Sequence, residues 1–161
     1  MEKEFVQLIQ ANKGIIYKIC NLYFKDNPYK EDYYQEILIR LWRTYPTYKK
    51  QSAFSTWLYR VALNTAIDIL RKECIQPKYI ELTEKQYNIA VEDSYNTDNK
   101  ARLYQAIQYL SNIEKAIILL YLEGYSYKEI SDIIGLSENN IGVKINRLKD
   151  KLLKIIEDGK R

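Results

Sequence analysis

The spacing of apolar residues constrains the fold of this chain more than any other feature. Apolar side chains recur at i, i+3 and i+4 along most of its 161 residues, a period that gives an α-helix one apolar face. Few stretches alternate with period two, as a half-buried strand requires. The sequence therefore predicts an all-α fold. The third predicted helix runs from a cap at Ser55 or Thr56 to 72. The other predicted helices span about 4–25, 30–44, 100–110, 112–122, 127–134 and 138–156.

The helical period fades between 74 and 99, where Pro77 and a polar run at 92–100 interrupt it. Acidic residues outnumber basic ones in this segment, whereas basic residues are in excess on both sides of it. Such a change between two periodic regions is typical of a linker. We expect two helical domains, 1–73 and 100–161, joined by a flexible acidic linker at 74–99.

The composition argues against catalysis by this chain. It has no His, which removes the commonest general base and metal ligand, and its 5 Gly form no phosphate-binding cluster. Cys20 and Cys74 have no CxxC spacing and are too few to build a zinc site. We therefore expect no enzyme activity, no metal and no cofactor. The charged N-terminus and the lack of long apolar runs predict a cytoplasmic protein without membrane insertion.

The segment Ser126–Lys151 has the pattern of a helix-turn-helix unit. Its first helix, 127–134, has one face of isoleucines, and Gly135 stands where the tight turn needs a positive φ. Ser137 can cap the next helix, whose apolar residues recur every three or four positions. We expect this second helix to lie in the major groove of DNA.

The outer face of that second helix carries residues suited to DNA. Asn side chains pair naturally with adenine edges, and cations follow the phosphates. An antiparallel helical hairpin with a solvated basic face has the same spacing, so the pattern alone leaves both interpretations open. The candidate DNA-binding residues are Ser137, Asn139, Asn140, Lys144, Asn146, Arg147 and Lys151.

Two further polar sets lie in the N-terminal part. The second helix has a polar row opposite its apolar stripe, which includes Trp42, and such a row alone indicates only a solvated face. Before the third helix, lysines alternate with aromatic residues, which is typical of proteins that stack unpaired bases. Core packing of the aromatics is the alternative. The two sets are Asp32, Gln35, Glu36 and Arg40 on the second helix, and Lys49, Lys50, Trp57, Arg60, Asn64 and Arg71 in and before the third.

Together these segments resemble sigma factors of bacterial RNA polymerase, specifically the small two-domain extracytoplasmic-function (ECF) group of the sigma-70 family. Residues 31–42, EDYYQEILIRLW, are similar to the family's acidic-DxxQExFLRLW helix of region 2. Residues 54–64, FSTWLYRVALN, and 66–72, AIDILRK, are similar to its FRTWLYRIARN and AIDxLRK segments. Residues 110–152 resemble region 4. The resemblance thus covers both domains in the family's order.

The resemblance implies a promoter-specificity subunit whose partners are core RNA polymerase, promoter DNA and an anti-sigma protein. It implies that the third helix and the loop before it hold the melted −10 element, with Asn64 reading a base and Arg60 and one of the two preceding lysines contacting phosphates. The second helix of the helix-turn-helix would read the duplex −35 element. The residues that it implies to face the polymerase clamp are Asp32, Gln35, Glu36 and Arg40.

Four positions depart from the common region 4 pattern. At positions 142 and 143 the family often has a basic residue followed by Ser or Thr, whereas this chain has Gly142 and Val143. Asn146 replaces a residue that is often His or an aromatic, and Lys115 replaces one that is more often Arg. Gly weakens a helix by up to about 1 kcal/mol. Which bases the helix reads stays open.

The alternative function is a stand-alone helix-turn-helix regulator, against which the region 2 motifs argue. A helical adaptor leaves the Asn- and Lys-rich helix unexplained.

Overall fold

The computed structural model describes residues 1–75 and 95–159. All regular secondary structure in these residues is helical, which confirms the predicted fold class. The helices are α1 Glu2–Phe24, α2 Lys30–Thr44, a 3₁₀ turn at Tyr45–Thr47, α3 Phe54–Ile75, α4 Tyr95–Ile107, α5 Asn112–Leu122, α6 Tyr127–Ile134 and α7 Glu138–Gly159.

Helices α1, α2 and α3 pack on one another and form the N-terminal domain. Each contributes the face that the apolar spacing predicts, and burying one large aliphatic side chain contributes roughly 1.5–3 kcal/mol. Small residues on α3 let the other two helices approach it closely. The fully buried side chains include Ile16 and Ile19 of α1, Ile37 and Leu41 of α2, and Leu58, Ala62 and Ala66 of α3.

Trp42 does not enter this core, and the prediction that it faces inward is wrong. Leu41 fills the inward position of α2 and is fully buried. Trp42 follows about 100° further around the helix and leaves 43% of its surface exposed. Its ring meets that of Phe5 edge-on, with 5.0 Å between centroids. Trp42 therefore lies at the border of the core.

Helix α5 is the centre of the C-terminal domain, and its middle, residues 116–120, is apolar on all sides. Residues 116–120 are all buried, because α6, α7 and also α3 of the other domain pack around the helix. A helix that is apolar all round is stable only when neighbours cover it completely. α7 adds the predicted stripe of Ile141, Ile145, Leu148 and Leu152 and also contacts α4.

Serine caps define the starts of α5 and α6. The Ser111 hydroxyl accepts a hydrogen bond from the backbone N–H of Glu114, and the Glu114 carboxylate accepts one from the backbone N–H of Ser111. Ser126 and Glu129 form the same capping box at the start of α6. Such caps contribute about 1 kcal/mol each. Both follow the S-x-x-E spacing in the sequence.

The predicted start of α3 needs a correction. The helix begins at Phe54, so Ser55 and Thr56 lie inside its first turn rather than at its cap. The backbone carbonyl of Ala53 accepts from the N–H groups of Thr56 at 3.1 Å and Trp57 at 3.2 Å. Phe54 is buried, and this anchoring selects the start of the helix.

The predicted linker at 74–99 lies mostly outside the described residues. At its two ends, α3 continues to Ile75 and α4 begins at Tyr95, five residues before the predicted start at 100. Residues 95–99 are polar, so the first turn of α4 produces no apolar period. The expectations for residues 76–94, including their flexibility, concern a part of the chain that is not described.

The two domains contact each other directly. Helix α3 packs against α5 and α6, and the ring of Tyr59 meets that of Tyr125 edge-on, with 5.4 Å between centroids. Tyr59 is thereby almost completely buried. The sequence contains no signal for this contact, because it joins residues far apart in the chain.

Candidate nucleic-acid interface

The helix-turn-helix unit is formed by α6, a tight turn and α7. Gly135 has a φ of 85°, as predicted, a conformation that only Gly adopts without strain. The Ser131 hydroxyl donates to the carbonyl of Leu136 and closes the turn from within. The Ser137 hydroxyl accepts from the backbone N–H of Asn140 at 3.2 Å and caps α7. These local bonds fix the angle at which α7 leaves α6.

The predicted DNA-binding residues lie on the outer side of α7 and at its cap. Lys144 is half-buried, and the others are exposed. Lys151 forms an ion pair with Glu114 of α5, with 3.0 Å between Nζ and Oε2, so its charge is partly neutralised in the free chain. The residues that present exposed amides, hydroxyl or cations are Ser137, Asn139, Asn140, Asn146, Arg147 and Lys151.

Gly142 lies beside an aromatic ring that the sequence did not associate with it. A Cβ built on Gly142 would meet the ring of Tyr127, at the start of α6, at 3.5 and 3.6 Å, which is ordinary van der Waals distance. Tyr127 is exposed at its outer edge. The ring therefore borders the surface of α7 that carries the exposed amides. Packing in this chain does not require Gly at position 142.

The aromatic residues of the loop before α3 and of its first turn form one cluster. The ring of Trp57 lies 5.2 Å from that of Tyr48 and 5.4 Å from that of Phe54, between centroids. Tyr45 and Phe54 are buried, whereas Tyr48 and Trp57 are half-buried. Core packing thus accounts for the first two, and the second two keep ring surface on which a base can stack.

Lys49 and Lys50 are exposed beside this cluster. Lys50 has a φ of 57°, unusual for a residue with a side chain. Its Nζ lies 2.9 Å from Oε1 of Glu4. The hydrogen bond to Glu4 raises the pKa of Lys50, and that same bond lowers the pKa of Glu4. Lys49 is therefore better available to a phosphate than Lys50.

The outer side of α3 presents Arg60, Asn64 and Arg71, all exposed as predicted. Arg71 lies 3.8 Å from Asp68, one turn earlier on the same helix. Arg60 donates from Nη2 to the backbone carbonyl of Asp132 in α6 at 2.6 Å. Of these three, Arg60 thus connects the two domains.

The four predicted polymerase-facing residues form an exposed face of α2. Asp32, Gln35, Glu36 and Arg40 all lie on it. The sequence interpretation missed that this face is also apolar: half of Ile39 is exposed, and it lines a shallow apolar depression together with Trp42 and Val6 of α1. In the sequence, Ile39 lies outside the helical stripe of buried residues. An apolar residue at that position was the signal that could have indicated an apolar surface on this face.

Comparison with known families identifies both domains. The family model of sigma-70 region 2 matches residues 8–74, and that of sigma-70 region 4 matches residues 100–152. RNA polymerase sigma factor SigS of Staphylococcus aureus strain MRSA252 is 30% identical, over 86% of this chain and 89% of its own. The chain belongs to the sigma-70 family of RNA polymerase sigma factors.

Other relatives assign this sigma factor to the ECF group. The ECF RNA polymerase sigma factor SigX of Bacillus subtilis is 27% identical over 96% of this chain and 87% of its own. A solved structure of the sigma factor RpoE with the anti-sigma factor NepR, from Bartonella quintana, covers 96% of this chain and 98% of its own, with a TM-score of 0.70 and 19% identity. The chain is a promoter-specificity subunit, and the region 2 match leaves no support for a stand-alone regulator.

Within the described residues of this sigma factor, no group of three or more Cys, Asp or Glu side chains is arranged to hold a metal ion. None of the described helices is long and apolar enough to cross a membrane. Cys20 is buried without a disulfide partner, and burial raises the pKa of its thiol to about 11.

The surroundings of Gly142 generate a stability prediction. Gly142→Ala should raise the free energy of unfolding by about 0.5–1 kcal/mol, because Ala loses less backbone entropy in a helix and its methyl group fits beside Tyr127. Urea denaturation of the full chain measures the change. Gly14→Ala in α1 is the matched control, since nothing lies within 4 Å of its Cβ position, and it should stabilise similarly. A clear loss of stability for Gly142→Ala but not for Gly14→Ala would show that the added methyl group does not fit beside Tyr127.

Proposed function

We propose that the sigma factor divides promoter recognition among three helices. Helix α2 docks on core RNA polymerase, α3 with the loop before it holds the melted −10 element, and α7 reads the duplex −35 element. One observation carries the proposal: each helix presents an exposed polar face while its opposite face is fixed in a domain core. Binding surfaces on rigid helices position their contacts more accurately than loops do.

The −35 assignment rests on the chemistry of α7. Exposed Asn139, Asn140 and Asn146 supply both donors and acceptors, as base edges in the major groove require. Arg147 is an exposed cation for phosphate contacts, which set register but carry no sequence information. The Ser137 cap leaves backbone N–H groups at the start of α7, where the helix dipole favours a phosphate.

The −10 assignment rests on the juxtaposition of rings, an amide and cations. Tyr48 and Trp57 expose part of their rings, and Lys49 directly follows Tyr48 in the chain. Asn64, two turns along α3, can pair with an unstacked base. Removing a base from the duplex costs a few kcal/mol, which stacking on aromatic rings offsets at about 1–3 kcal/mol per base.

The polymerase assignment rests on the mixed character of the exposed α2 face. Asp32 and Glu36 supply negative charge, Gln35 hydrogen bonds, and Ile39 with Trp42 apolar surface. Interfaces commonly combine a large apolar anchor with a polar rim. The face suits a basic protein surface with an apolar centre.

Three broader statements belong to the same proposal. The chain performs no catalysis itself, and the polymerase supplies the chemistry of RNA synthesis. It acts in the cytoplasm, where the DNA is. A protein of the anti-sigma class binds it, by analogy with the RpoE chain solved in complex with NepR.

Run-off transcription tests the function as a whole. The full chain, added to purified bacterial core RNA polymerase, should start transcripts from a subset of promoters in its own genomic DNA. Core polymerase alone and the chain alone are the controls and should give none of these transcripts. Absence of both core binding and promoter-specific transcripts would falsify the proposal.

The docking face is tested by charge reversal. Glu36→Lys should weaken binding to core polymerase about tenfold or more, because it places a cation against the proposed basic surface. Glu157→Lys, an equal charge change at an exposed position near the end of α7, is the matched control and should bind like the wild type. Fluorescence anisotropy with labelled chain measures both. Equal affinities for the two variants would contradict the assignment of α2.

The two DNA assignments are tested as a reciprocal pair. Asn64→Ala should reduce discrimination among −10 variants by about 1–3 kcal/mol and leave discrimination among −35 variants intact. Asn146→Ala should do the opposite. Transcription from a matrix of promoter variants gives both values. A uniform loss across all variants would indicate that these amides only position the protein.

A further inference from the structure

The first two turns of α7 present amides and apolar surface to solvent but no exposed cation. Helix-turn-helix proteins contact base edges with the N-terminal residues of the second helix, which here are residues 138–144. Lys144 is half-buried, and the exposed cations of α7 begin at Arg147, one turn later. The exposed residues of the two turns, all of them in the described part of the chain, are Glu138, Asn139, Asn140 and Val143.

These side chains match the edge that an A·T pair presents in the major groove. Adenine offers N7 as acceptor and an amino group as donor, with which an Asn amide pairs through both of its groups. Thymine offers a 5-methyl group, which an apolar side chain contacts. Guanine is most often read by Arg or Lys, which no exposed residue from 138 to 144 supplies. Glu138 begins α7, where the helix dipole favours an anion.

Val143 is the apolar member of this set, and 48% of its surface is exposed. It lies four positions after Asn139 and three after Asn140. Residues so spaced are neighbours on a helix, with about 5–6 Å between their Cβ atoms. That distance is shorter than two base-pair steps of about 3.4 Å each. An amide and the Val143 side chain can therefore reach the same base pair or adjacent ones.

Gly142 keeps the surface beside Val143 open. Between Ser126 and Lys151 the exposed large apolar side chains are Tyr127 and Val143, and both lie next to Gly142. Val143 follows it in the chain, and the ring of Tyr127 is 3.5 Å from its Cβ position. A long side chain at position 142 would have to extend along that ring, whereas Gly leaves it uncovered. A base edge can thus approach this part of α7 closely.

We propose that the first two turns of α7 read A·T pairs of the −35 element and that Val143 selects thymine through its 5-methyl group. This inference rests on the proposed function, since it names the base chemistry that the −35 helix recognises. A single exposed apolar residue needs no explanation elsewhere on a protein surface. Val143 differs because it lies among the residues placed to contact bases. The methyl contact contributes about fourfold in affinity, the equivalent of one buried CH₂ group.

Deoxyuridine isolates this contact, because it removes the thymine methyl and keeps every hydrogen-bonding group of the base pair. The probe is the promoter duplex that gives the strongest run-off transcript, with each thymidine of its −35 element replaced singly on either strand. Holoenzyme assembled from the full chain and core polymerase should bind at least one of these duplexes about fourfold more weakly than the unmodified one. A G·C pair at the same position should weaken binding further, because it also removes the adenine edge. Competition binding measures both ratios.

Val143→Ala tests which residue detects the methyl group. Holoenzyme with this variant should bind the unmodified duplex more weakly than the wild type does, and it should no longer distinguish thymidine from deoxyuridine at that position. Ala is a better helix former than Val, so unfolding of α7 does not account for the loss. Leu153→Ala is the matched control: it removes exposed apolar surface from α7 further along the helix and should keep the wild-type ratio.

Three results would overturn the proposal: no thymine whose methyl group affects binding, a G·C pair that binds as well as the A·T pair, or a methyl effect that persists in Val143→Ala. The last would assign the contact to another residue, such as Tyr127.

If the holoenzyme binds no promoter, the proposed function fails instead. The full chain alone is then compared on alternating poly(dA–dT) and poly(dA–dU). A preference for the first that Val143→Ala lacks would still support the methyl contact, and equal affinities of the wild type would overturn it as well.

Discussion

Helix α3 is the element on which both domains depend. Its inner side, with Leu58, Ala62 and Ala66 buried, closes the core of region 2. Its neighbouring side carries Tyr59 into contact with region 4, and its outer side presents Asn64 to solvent. One helix thus has a core face, an interdomain face and the face that we propose for DNA. Three faces on one cylinder leave little freedom for substitution, because neighbouring positions belong to different surfaces.

The helix-turn-helix unit was predictable because its geometry is local. The left-handed turn at Gly135, the cap at Ser137 and the stripe beginning at Ile141 each involve residues a few positions apart. Periodicity reports such neighbours directly. The exposure of Asn64 and Arg71 was predictable for the same reason, since it follows from their places opposite the buried side of α3.

The features that could not be predicted join residues far apart in the chain. Three such contacts depend on the packing of whole helices: Lys50 with Glu4, Lys151 with Glu114, and Arg60 with α6. The prediction that Trp42 faces inward was wrong for a smaller reason. An apolar residue next to the buried stripe can lie in the core or at its border, and the position of Trp42 is set by its contact with the ring of Phe5. The polar start of α4 produced no periodic signal at all.

The ion pairs of the free chain change how its charge acts on DNA. Lys50 and Lys151, two cations on the proposed DNA faces, are already neutralised in part by Glu4 and Glu114. When such a lysine moves to a phosphate, it exchanges one anionic partner for another and leaves a free carboxylate behind. The gain is smaller than that of an unpaired cation, because counterions released from DNA are offset by those that gather at the carboxylate. Affinity then rests more on Lys49 and Arg147, while the mild net charge of +4 limits binding to DNA that offers no matching bases.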